Sequence, residues 1–172
     1  AQTATVKIWN AKKAFEDQLT ATPGSVVSGG QINYTYRFAQ NAGSPVNAVV
    51  IIPLDTAKVE YVAGSAVGLV PMPTGMSSDQ IAAAYAAGGK AAVEQMASAQ
   101  SGPIAALAWF GGQLGTGQGS LDGAFSVEVK AAGPAQITMT AKGYDGATLI
   151  QTTQANVVQV LRSIYLPLVF RQ

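Results

Sequence analysis

The stretch Gln31–Phe38, "QINYTYRF", decides the fold. Ile32, Tyr34, Tyr36 and Phe38 alternate there with Gln31, Asn33, Thr35 and Arg37. A period of two sends the first set to one face of a strand and the second to the other, which makes a half-buried strand with an aromatic inner face. The same alternation recurs. "FSVEVK" turns Phe125, Val127 and Val129 inward and Ser126, Glu128 and Lys130 outward, and "ATVKIW" sets Ala4, Val6 and Ile8 against Thr5 and Lys7. Residues 136–154, "QITMTAKGYDGATLIQTTQ", read as a hairpin in which Asp145-Gly146 supplies the φ > 0 positions of a tight turn.

Further apolar runs, "NAVVIIPL" (47–54), "KVEYVAG" (58–64), "IAALAWF" (104–110) and "ANVVQVL" (155–161), are bounded by Gly, Pro, Ser or Asn, as strands are. Roughly eight or nine short strands separated by turn signals predict an all-β chain folded as an antiparallel sandwich. Residues 77–100 break the pattern, being Ala-rich and without alternation. Ser77 followed by Gln80 matches a capping box, and Asp79 suits the positive end of a helix. Ile81, Tyr85, Ala92 and Met96 recur at roughly helical spacing, while Gly88-Gly89 predicts a bend or two short helices. Residues 10–20 fit either a helical turn or a charged edge strand. The organisation is one sandwich domain over 1–162, with a helical insert in 69–103, followed by a strand or tail over 163–172.

At 172 residues the chain can bury a substantial core. Charged residues are only 11% and the net charge is +1 without a basic cluster, which argues against nucleic acid as a partner. No run approaches the roughly 18 apolar residues of a membrane span. Cys and His are both absent, removing thiol nucleophiles, disulfides, imidazole bases and most transition-metal sites. The opening "AQTATV" has small residues and no initiator Met, as a mature protein has after signal-peptide removal, so a secreted or cell-surface location is expected.

The segment "SVVSGGQINYTYRFAQNAGSPVNAVVIIPLDTAKVEYVAGSA" (25–66) resembles the bacterial and archaeal surface repeat domain known as DUF11. The shared run is a Gly, a Tyr-containing strand, Asn-x-Gly, a Val-rich strand and "Y-V-x-G-S". "WFGGQLGTGQGSLDGAFSVEVKA" and "PAQITMTAKGYDG" continue in the style of that family, so the resemblance covers 24–68 and 104–160. "IIPLDTAK" departs from the family's Asp-x-Leu-Pro order, and 69–103 has no counterpart there. The resemblance implies an immunoglobulin-like sandwich on secreted, cell-wall or matrix proteins. "YLPLVFR" (165–171) resembles a C-terminal YLP-V signature of exported proteins from Chloroflexota-like bacteria, which implies a sorting or anchoring role.

Candidate chemistry is sparse. The carboxylates at 16, 17, 55, 60, 79, 94, 122, 128 and 145 are scattered over strands and turns, and only Asp55 with Glu60, or Asp122 with Glu128, could be set against each other as a hydrolytic pair. "GGQLGTGQG" lacks the Lys-Ser/Thr ending and following helix of a phosphate loop. No catalytic, cofactor-binding or metal residue is assigned, and no cofactor is expected. Asn33-Tyr34-Thr35 is a glycosylation sequon with Asn33 on the outward face. Trp9, Trp109, Tyr34, Tyr36 and Tyr61 invite a sugar-stacking reading, but alternation turns most of them inward, Trp9 excepted.

The remaining feature is "SIYLPLVFRQ", 163–172. Ile164, Leu166, Leu168 and Phe170 share one strand face, and Tyr165 and Val169 the other. Burying the four contributes about 6–12 kcal/mol at roughly 1.5–3 each, against about 1–2 kcal/mol per residue of backbone ordering. One face does not suffice; the segment needs ladder bonds or burial of both faces. Pro167 lacks an N–H and restricts it to edge-like pairing. Self-packing, insertion into a neighbouring subunit and a sorting role remain open on this basis. The reading that uses most features is a non-enzymatic extracellular filament or surface-layer subunit, partnered by other copies of itself through Ile164, Tyr165, Leu166, Pro167, Leu168, Val169 and Phe170. The alternative is an adhesive or polysaccharide-binding module.

Overall fold

A computed structural model describes residues 15–40, 45–73, 75–115 and 120–163. The half-buried strand is β3 (Gln31–Gln40), with Ile32, Tyr34, Tyr36 and Phe38 all buried. It lies between β1 (Phe15–Thr22) and β8 (Ser120–Val129), and β8 carries β5 (Val59–Tyr61) on its other side. Register places Tyr34 opposite Phe125 and Ile32 opposite Val127, so the alternating faces coincide. The rings of Tyr34 and Phe125 stack at 4.9 Å. Of residues 10–20, open on sequence, those from Phe15 onward belong to β1, which pairs with β3 from Phe15 to Thr22.

The second sheet runs β11 (Thr148–Gln154), β10 (Thr140–Asp145), β4 (Val46–Pro53), β7 (Ile104–Leu114) and β6 (Val70–Pro73). Its centre explains the unbroken apolar run of β4. Val50 and Ile52 face the first sheet, whereas Val49 and Ile51 face a helix on the opposite side. A strand buried on both faces has no reason to alternate. All ladders in these two sheets are antiparallel, and the fold is an immunoglobulin-like β-sandwich with one helical insertion.

That helix, α1 (Ser78–Ser98), opens with the expected capping box: the Ser77 hydroxyl accepts from the Gln80 N–H at 3.2 Å, and the Gln80 side chain accepts from the Ser77 N–H at 2.8 Å. Ile81, Ala82 and Tyr85 cover β4 and β7, forming a second core with Met72, Ala106, Ala108 and Tyr144. The bend falls at Gly88 and Gly89, where Gly89 takes φ 66 and ψ −162, outside helical space. This break corrects the expected face beyond it: Val93 is fully buried, while Ala92 and Met96 are only half-buried.

Twelve strands form among the described residues, more than the sequence suggests. The additions are short: β2 (Ser25–Val27), β6, and the division of 135–145 into β9 (Ala135–Ile137) and β10. β2, β12 (Val158–Leu161) and β9 make a small third sheet in which β12 pairs parallel to β2 and antiparallel to β9. The β10–β11 turn also differs from expectation. Asp145 ends β10, with its carboxylate accepting from the Asn47 N–H at 2.8 Å, and only Gly146 takes positive φ, at 55. The predicted strand at 4–9, together with Trp9, lies outside the described residues.

Candidate interaction surfaces

The inner faces leave little for chemistry. Tyr34, Tyr36, Phe38 and Phe125 are buried, and Trp109 is half-buried with its ring edge-to-face on Phe38 at 5.5 Å. Tyr61 is half-buried, its hydroxyl accepting from the Ala66 N–H at 3.1 Å. These rings build the core, so no flat aromatic platform for sugars stands among the side chains described. Burial pushes the Tyr34 hydroxyl up to about 12. It raises Tyr36 further, with the Asp17 charge adding to the effect. Neither hydroxyl has a hydrogen-bond partner among the described residues.

The carboxylate pairs considered from sequence do not converge. Asp122 and Glu128 sit six positions apart on β8, roughly 20 Å at strand rise, well beyond the separation a glycosidase uses. Asp55 is taken up by its own turn, accepting from the Ala57 N–H at 3.2 Å and pairing with Lys58 at 3.5 Å. Glu60 instead faces Glu128 across β5 and β8, both exposed, a juxtaposition that only the register reveals. Among the described residues no group of three or more His, Cys, Asp or Glu could hold a metal ion. No helix among them is long and apolar enough to cross a membrane.

Asn33 stands exposed on the outer face of β3, with its amide oxygen accepting from the Ser126 hydroxyl at 2.7 Å. Near it the Thr20 and Thr35 hydroxyls share a hydrogen bond of 2.5 Å. A shallow depression of about 440 Å³ on this face is lined by Thr20, Thr35, Arg37 and Asp122 together with the apolar Val67 and Ala124. The segment Ile164–Phe170 lies outside the described residues.

What the fold does present is edges. Of the two main sheets, β1 and β5 border the first, β11 and β6 the second. β5 is three residues long, and β6 carries Pro71 and Pro73. On β1 the inward positions are Asp17, Leu19 and Ala21, opposite Phe38, Tyr36 and Tyr34. An acid at an inward position of an edge strand discourages pairing with a foreign strand. Asp17 has a structural partner besides: its carboxylate accepts from the Gln151 side chain of β11, which ties the two sheets along this side. β11 itself is seven residues of "TLIQTTQ", without charge or proline, and its Leu149 and Ile150 are 48% and 40% exposed. Sequence reading did not single out this edge. Its signal was available in the uncharged, proline-free half of the hairpin.

No family model matches the chain, and no curated protein matches it. Its fold is similar to solved structures at low identity. A protein from Corynebacterium diphtheriae described as membrane anchored superposes with a TM-score of 0.50 at 10% identity, over 92% of this chain and 38% of that one. The major pilin SpaD of the same organism gives 0.43 at 11% identity, over 83% and 34%. AvmM, which catalyses macrocyclization in alchivemycin A biosynthesis, gives 0.44 at 8% identity, over 89% and 92%. The chain therefore spans little more than a third of the two Corynebacterium proteins. Likeness this remote concerns the fold alone, and one fold hosts many functions.

Proposed function

We propose that this chain is a non-enzymatic structural module of the cell exterior that joins copies of itself head to tail, with residues 164–170 of one copy serving as a strand for the next. The observation that carries this reading is a mismatch of supply and need. Ile164, Leu166, Leu168 and Phe170 require ladder partners as well as apolar cover, and the sandwich offers strand edges that no described residue pairs. Strand addition to an open edge meets both needs, and a head-to-tail contact of that kind grows into a fibre unless it closes into a ring. A low charged fraction of 11% limits repulsion between copies. The resemblance to the DUF11 surface domains, with a secreted location, belongs to the same proposal.

Deleting residues 164–172 tests it. Purified full-length chain is expected to form fibres or large oligomers in negative-stain micrographs and light scattering, and the shortened chain to stay monomeric and folded. Polymers from the shortened chain, or a full-length chain that remains monomeric at high concentration, refute the reading. The adhesive alternative rests on the shallow depression lined by Thr20, Thr35, Arg37, Val67 and Asp122. Monodisperse particles that bind a glycan array, and lose binding on Arg37→Ala, would favour it instead.

A further inference from the structure

We infer that the acceptor for residues 164–170 is the edge of β11, Thr148–Gln154, that no described residue pairs, on a second copy of the chain; this rests on the strand-exchange reading above. Elimination among the edges comes first. β2, β5 and β9 are three residues each, too short to hold a seven-residue strand. β6 has prolines at Pro71 and Pro73, which cannot donate to a ladder. β1 carries the inward Asp17. β11 alone among the described edges is long, uncharged and free of proline, and it exposes the apolar side chains of Leu149 and Ile150.

The ladders argue against a return to the segment's own domain. Thr140 pairs with Gln154, and Ile137 with Val158, so the β9–β12 ladder prolongs the β10–β11 ladder with a slip of one residue. Asn156 pins this continuation to the end of β1: its side-chain carbonyl accepts from the Ala21 N–H at 2.8 Å, and its amide donates to the Ala21 carbonyl at 3.1 Å. β12 therefore carries the chain onward past Gln154, away from the turn at Gly146. From Leu161 back to Gln154 is seven residues of extended chain, roughly 23 Å. Residues 164–170 span about the same length, so all of them would be used in returning to their own β11 before any pairing began. Both sides of β12 are also occupied, by β2 and β9. Pairing with the β11 edge of a second copy needs no such return.

Pro167 sets the face that pairs. In a strand, alternate residues direct their N–H and C=O to the same side, and the residue without an N–H belongs on the outer one. Tyr165, Pro167 and Val169 therefore turn their backbone away, while Ile164, Leu166, Leu168 and Phe170 bond to the acceptor. On β11 the register shift opposite Gly143–Tyr144 makes Ile150 an extra residue. Ladder pairing accordingly centres on Gln151–Gln154, with Leu149 and Ile150 adding apolar contact. The Asp17 carboxylate holds Gln151 in place and so preforms this stretch.

The absence of cysteine makes disulfide trapping clean. Thr152→Cys on one copy and Leu168→Cys on another, mixed under mild oxidation, should give a cross-linked dimer. The two substitutions in one chain should give a ladder of covalent oligomers that grows with concentration. Leu149→Lys with Ile150→Lys, both at exposed positions, should abolish assembly while leaving the monomer folded. An internal disulfide in the doubly substituted monomer overturns the inference, because the segment then lies on its own domain. Cross-linking of Leu168→Cys to Val27→Cys or Thr20→Cys but not to Thr152→Cys overturns the choice of edge and leaves strand exchange intact. Fibres that form without any of these cross-links overturn it as well. Assembly that survives deletion of 164–172 defeats the parent reading rather than the choice of edge.

Discussion

The two cores of this molecule share the strands β4 and β7 but are built differently. The sandwich core is made of cross-strand neighbours, with Tyr34, Phe38 and Phe125 interlocked across β3 and β8. Its members come from positions far apart in sequence. The second core lies under α1, where Ile81, Ala82 and Tyr85 cap Val49, Ile51 and Ala108, and three of its fixing contacts are polar. These are the Ser77–Gln80 capping box, the Tyr144 hydroxyl donating to Asp79 at 2.9 Å, and the Gly112 N–H donating to the Tyr85 hydroxyl at 3.1 Å. Gly88-Gly89 divides the helix besides. The contrast teaches that the sheets set the global stability, while the insert is a cover that can loosen without them.

Phe125→Ala is the strongest way to strain that contrast. It removes a ring stacked on Tyr34 in a fully packed site and should cost about 3–5 kcal/mol. Denaturant unfolding should show the loss in a single transition, with amide protection falling in every sheet together. A loss confined to β3 and β8 would break the contrast.

Raising the pH should act on the same core by a different route. An unfolded tyrosine ionises near its ordinary value of about 10, whereas Tyr34 in the fold holds its proton up to about 12 and Tyr36 beyond that. Between those limits the folded state binds more protons than the unfolded one, so stability falls as pH rises. The contribution is intact below about pH 10, and Tyr34 alone should lose about 2–3 kcal/mol by pH 12. Urea midpoints measured from pH 8 to 11.5 check the slope. Tyr34→Phe should make it shallower, with Tyr36 keeping the remainder, at little cost near neutrality, since the hydroxyl removed has no partner among the described residues. An unchanged slope in that variant refutes the assignment.

Much of the sandwich was legible because its inner faces obey a period of two, from Ile32 to Phe38 and from Phe125 to Val129. The capping box of α1 was legible because Ser77 and Gln80 are local. What escaped has physical causes. The three-residue strands β2 and β9 are too short to show a period, and β4 lost its period by being buried on both faces. The inner face of α1 beyond Gly89 shifted from Ala92 to Val93 because a non-helical residue resets the twist, which no wheel drawn through it can follow. For the proposed interaction surface, the features that suggest residues 164–170 as a donor strand lie in their alternation and in Pro167. For β11 only the lack of charge and proline was legible; that it borders a sheet was not, since this depends on pairings between distant segments.

The smaller effects belong to the second core. Ile81→Ala should cost about 2 kcal/mol, the low end for such a truncation, because a helix lying on one sheet face can settle into the space. Amides of 78–98 should exchange faster while those of β3 and β8 keep their protection. If both regions lose protection equally, the cores are one cooperative unit. Tyr144→Phe probes the polar fixing with less disturbance. Its ring stays in the core, while the hydroxyl's hydrogen bonds with Asp79 and the Ser78 side chain are lost. Asp79 is exposed and can rehydrate, so the cost should be about 1 kcal/mol rather than that of a stranded buried charge. Asp79→Asn keeps an acceptor oxygen for the Tyr144 hydroxyl but removes the charge that suits the helix N-terminus. Because the two carry different parts of one contact, their combined loss should fall short of the sum, and a strictly additive double variant would show that the bond fixes nothing.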